Sequence, residues 1–106
     1  MPFVYETEEQ IKNRVISSKD VLGIALEIET RLADLGDERS VKELYWMFQA
    51  ILQRFGSGFE ICSAIDFAIS KFQKTKDTDW LAMAAKIFVD NFRQASTVRA
   101  MSQKRG

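Results

Sequence analysis

The chain has 106 residues, with 15 Lys+Arg, 15 Asp+Glu, one Cys and no His, which leaves room for a single domain and little distinctive chemistry. The missing histidines exclude Ser-His-Asp and Cys-His nucleophile pairs and the histidine-containing zinc and non-haem iron sites. A lone cysteine excludes disulfides within the chain, Cys₄ zinc sites and cysteine-ligated iron–sulfur clusters, so neither a cofactor nor a metal is expected.

The 46% hydrophobic content is enough to fill one core. No apolar run approaches the roughly 18 residues of a membrane span. Leu44 to Leu52 is interrupted by Gln49, and Leu81 to Val89 contains Lys86. Glu6, Glu8 and Glu9, with no base before Lys12, are unlike a secretory leader. A cytoplasmic protein is the expectation, in keeping with a single thiol in a reducing compartment. The formal net charge of +0 hides a polarity: residues 1–38 carry nine acids and four bases, a net charge of −5, and the remainder carries +5.

Helix signals recur along the whole chain, without a sustained period-two run of β-branched residues, which predicts an all-α fold. Thr7 with Gln10 makes a capping box, opening a short helix from Glu8 to about Ile16. A second helix is expected near Lys19 to Leu35, ended by Gly36 in the left-handed conformation. The third starts at Ser40, or at Asp37, and runs to Phe55, where Gly56-Ser57-Gly58 stops it. Ser57 and Glu60 form a second capping box for a helix from Gly58 to about Phe72. Asp77 caps a last helix from Thr78 to about Ala95, which leaves residues 96–106 as a basic, flexible tail beyond a 1–95 domain. The short connections predict a small antiparallel bundle of four longer helices plus the short N-terminal one.

Projecting these helices at about 100° per residue separates core stripes from leftover apolar residues. In the third helix Val41, Leu44, Tyr45, Phe48, Ile51, Leu52 and Phe55 make one stripe. Trp46 falls almost opposite, with Met47 and Ala50 outside the main stripe. In the last helix Leu81, Ala85, Phe88 and Phe92 make the main stripe, and Trp80, Met83 and Ile87 a second. In the second helix Val21, Ala25, Ile28, Leu32 and Leu35 line one face, and Leu22, Leu26 and Ala33 another. Two stripes call for two neighbours. Doubling in three helices predicts a homodimer or a complex with another protein that covers Trp46 or Trp80, residues of the type that dominates binding energy. The fourth helix packs Ile61, Ala64, Ile65, Ala68, Ile69 and Phe72, with Cys62 at the margin as a small buried hydrophobe. Phe59 and Phe67 lie on its polar side.

No catalytic residues are expected, since no pair of carboxylates is spaced for acid/base work. Glu27 and Glu29 diverge, while Glu8, Glu9, Asp77 and Asp79 sit at helix starts, where acids favour the positive end of the dipole. Gly56-Ser57-Gly58 lacks both the preceding strand and the Lys-Ser/Thr of a phosphate loop. A helix-turn-helix reading of the third and fourth helices meets acids, Glu60 and Asp66, where a recognition helix needs bases. Lys71, Lys74, Lys76, Lys86, Arg93, Arg99, Lys104 and Arg105 form a basic surface that keeps a small nucleic-acid-binding regulator as the alternative. The preferred expectation is a non-catalytic module that binds another protein or itself, such as an adaptor, inhibitor, immunity-type or small regulatory protein. Its contact residues are Trp46, Met47, Ala50, Trp80, Met83 and Ile87.

Overall fold

The computed structural model describes residues 5–56 and 60–104, with side chains as far as Asn91. Five helices follow one another: α1 (Glu8–Ser17), α2 (Val21–Leu32), α3 (Glu38–Phe55), α4 (Glu60–Thr75) and α5 (Thr78–Lys104). There is no strand among the described residues, and the architecture is the all-α bundle with a short leading helix that the periodicity predicts.

Local chemistry explains most of the boundaries. Thr7 Oγ1 accepts from the Gln10 amide at 3.2 Å, and the Gln10 side chain accepts from the Thr7 amide at 2.9 Å, so two orphan donors at the start of α1 are satisfied together. The Asp37 carboxylate caps α3 by accepting from the amides of Arg39 and Ser40. Asp77 Oδ1 accepts from the Asp79 amide at 3.0 Å and opens α5. The α3 helix ends where the Gly56 amide donates back to the Leu52 carbonyl at 2.9 Å with φ of 71°.

Three expected boundaries move. α2 ends at Leu32, not Leu35, and Gly36 does not enter the left-handed region. The chain instead leaves the helix through tight turns, with the Asp34 amide donating to Arg31 and the Asp37 amide to Asp34. α4 continues past Phe72 to Thr75, because Lys76 takes the left-handed position itself at φ 62°. α5 continues past Ala95 to Lys104, with no Gly or Pro between to stop it, so residues 96–104 extend the helix where a tail was expected. The Ser57 cap, Gly58, Phe59, Arg105 and Gly106 lie outside the described residues.

α3 is the centre of the assembly, touching α1, α2, α4 and α5. α4 and α5 pair as a hairpin, and α2 spans α3 and α5. Twenty-seven residues at about 1.5 Å each make α5 roughly 40 Å long. One core runs through all five helices, with Ile11, Ile28, Phe48, Ile65 and Phe88 among its buried members. Each such side chain contributes about 1.5–3 kcal/mol by leaving water.

Candidate functional site

The six residues expected to contact a partner separate into two groups. Met47 and Ala50 are fully buried, which removes them from any surface of this chain. They share a strip of α3 with Arg54, whose Nη1 donates to the Val15 carbonyl of α1 at 2.9 Å. α1 therefore lies along this strip and buries its own Ile11 and Val15 there. The second stripe of α3 is an internal contact, filled by the short first helix.

Trp46 belongs to the same arrangement. It is partly buried against the core, and the Arg39 guanidinium stands 5.1 Å from its ring centre, with the Tyr5 ring 4.8 Å from the same guanidinium. The indole is thus partly covered by a cation that also meets Tyr5 of the segment leading into α1.

The covering is tied down by a closed circuit of charges. Arg14 forks onto the Glu6 carboxylate through Nε and Nη2 at 3.0 and 2.9 Å, and its Nη1 donates to Glu27 at 2.6 Å. Glu27 lies 3.7 Å from Arg31, Arg31 donates to Glu43 at 3.2 Å, and Arg39 donates to the other Glu43 oxygen at 3.0 Å. Arg39 closes the ring by donating to the Glu6 backbone carbonyl. Three carboxylates and three guanidiniums join the leading segment, α1, α2 and α3 with no net charge. Hydrogen bonds from Arg14 act most strongly to hold the Glu6 carboxyl below its ordinary value; burial opposes them, and the charges of Arg14, Arg31 and Arg39 each add a smaller lowering effect. The same contacts hold the Arg14 guanidinium protonated more firmly than usual. Residue spacing did not reveal this circuit, because its members come from four separate segments.

Trp80, Met83 and Ile87, spaced i, i+3 and i+7, stay together on the outer side of α5. Met83 is 46% exposed, while Trp80 and Ile87 are partly covered. From α4, Phe67 meets Trp80 edge-on, with ring centres 6.0 Å apart and planes at 78°, and remains 55% exposed. Lys71 Nζ sits 5.5 Å from the Phe67 ring centre. An apolar band therefore crosses the α4–α5 hairpin. A separate ridge on α2 exposes half of Leu22 and of Leu26, one turn apart, with Ala33 also exposed.

Compared with protein-family models, curated proteins and solved structures, the chain matches none.

Of the residues expected to form one basic surface, Lys71, Lys74 and Lys76 lie at the end of α4 and Lys86 on α5. Lys74, Lys76 and Lys86 are exposed, and Lys71 leans on Phe67. The side chains of Arg93, Arg99 and Lys104 lie outside the described residues, as does Arg105. Cys62 is buried, and burial pushes its thiol pKa up, which makes it a poor nucleophile. Among the described residues no group of three His, Cys, Asp or Glu could hold a metal ion, and no helix is long and apolar enough to cross a membrane.

Proposed function

We infer that the chain is a non-catalytic protein-binding module whose contact surface is the outer face of the α4–α5 hairpin. The observation that carries this reading is the apolar band in which Phe67 and Met83 are exposed on either side of the partly buried Trp80. Large apolar side chains gathered on one face cost solvation when left in water, and contiguous apolar surface on small proteins marks interaction sites. Trp80, packed partly against the core and met edge-on by Phe67, has the character of an anchor. Lys71 beside the band favours a partner that brings a carboxylate to its rim.

The test is binding by a purified partner identified through affinity capture from the source cell. Met83→Asp places a charge at the centre of the band without touching the core. Affinity for the partner is expected to fall at least about tenfold with thermal stability unchanged, the effect of losing one well-packed contact at an interface centre. Equal binding by wild type and variant overturns this surface as the interface.

A further inference from the structure

We propose that the cleft between α3, α4 and α5 is a binding site for a small, uncharged, largely apolar molecule of one or two fused rings, anchored at its rim by the Asn91 amide. The cleft has a volume of about 220 Å³. Its floor is made by Ile51, Ile65 and Phe88, all buried, and its upper walls by Phe55 and Ile61, which are only partly covered. This gradient from dry floor to open rim makes the space an entry rather than a sealed packing defect. Each of the three helices contributes to the wall, so the floor is held by rigid elements.

The chemistry of the lining defines the ligand. Among the described residues no charged side chain lines the cleft, so an ion entering it would lose hydration with nothing in return. Among the described residues the amide side chain present is that of Asn91, which is exposed midway along α5 and offers one acceptor and two donors. Cys62 adds a thiol to the wall, neutral because burial raises its pKa. An apolar cavity of about 150 Å³ stays dry and accepts benzene, so the larger cleft suits a fused bicyclic ring or a branched chain of similar bulk. Cys62 also borders a second cleft of about 240 Å³, beside Leu52, Ser63 and Asp66, which places the thiol at the wall shared by the two spaces.

Indole is the probe. Nine heavy atoms in a fitting apolar pocket give an expected dissociation constant on the order of 100 µM. Binding is read by amide chemical shifts and by the rate at which iodoacetamide alkylates Cys62. Saturable shifts centred on Ile51, Ile65 and Phe88, with alkylation about tenfold slower at about 1 mM indole, are the expected result for a site that occludes the thiol. Cys62→Leu fills the cleft from its wall, and Ile61→Phe fills it from the rim, where the side chain is only partly covered. Either filled variant that folds is expected to lose the indole shifts. Non-saturating shifts spread over the surface, an alkylation rate indifferent to indole, or undiminished binding by a filled variant overturns the proposal.

Discussion

Two residues show how backbone conformation alone sets a local energy. Gly56 closes α3 at φ 71° and ψ −173°, a region that side chains with a Cβ scarcely enter. A Cβ there meets nothing within 4 Å, so the penalty for substitution is conformational rather than steric. Gly56→Ala is expected to lower stability by about 1–3 kcal/mol. Lys76 performs the same service for α4, its amide donating to the Phe72 carbonyl at 2.7 Å, but with a side chain the left-handed region disfavours. Lys76→Gly is expected to raise stability by about 0.5–1 kcal/mol, the gain from relieving the Cβ exceeding the extra freedom of the unfolded chain. Urea midpoints moving in opposite directions for the two variants check both. The Gly56 stop was legible because the residue type announces the conformation. The Lys76 stop was not, since nothing in a lysine distinguishes a solvated loop from a forced positive φ.

At the scale of elements, α1 carries the main revision. Expected only as a short leading helix, α1 buries Ile11 and Val15 completely and packs along α3. The circuit from Glu6 through Arg14, Glu27, Arg31, Glu43 and Arg39 holds it there. Because the Glu6 pKa is lower folded than unfolded, its contribution is present above the unfolded value, near 4.5, and is lost as pH falls through the folded one. Glu6→Gln is therefore expected to be less stable than wild type at about pH 7 and to converge with it in acid, once the pH has fallen below the folded value and protonation has removed the same charge. Urea midpoints at neutral and acid pH decide the matter; a difference that persists in acid would assign the effect to something other than the carboxylate. Glu6 is well exposed, so the neutral-pH difference is small.

Across the whole molecule, the apolar stripes sort into those that found a neighbour within the chain and those that did not. The pairing of α1 with α3 accounts for one of the three doubled helices, leaving the α4–α5 band and the Leu22–Leu26 ridge of α2 facing outward. Trp46 and Met83 should accordingly respond to mutation in different ways. Trp46→Ala removes a ring packed on the core and stacked with Arg39, and is expected to cost about 2–3 kcal/mol. Met83→Ser, at a half-exposed position, is expected to stay within about 0.5 kcal/mol of wild type. Thermal unfolding of the two proteins tests the division, and equal losses would show that the outer band is as much core as the inner one. The circuit leaves the polarity of −5 and +5 along the chain untouched, because Glu6 and Glu27 are balanced by Arg14 and Arg31 in the first part of the chain and Glu43 by Arg39 in the second.

Fold class, helix number and most helix starts were already determined by the amino-acid order, because capping and 3.6-residue periodicity are local and act within one or two turns. Trp80, Met83 and Ile87 were also legible as a second stripe on α5, since spacing along one helix places residues on one side of it. Tertiary structure alone decided which second stripes were satisfied. Periodicity shows that a face is apolar but not what covers it, and that depends on contacts between segments as far apart as Val15 and Arg54. The charge circuit and the α3–α4–α5 cleft belong to the same category, since each is built by side chains that meet only when separate helices pack.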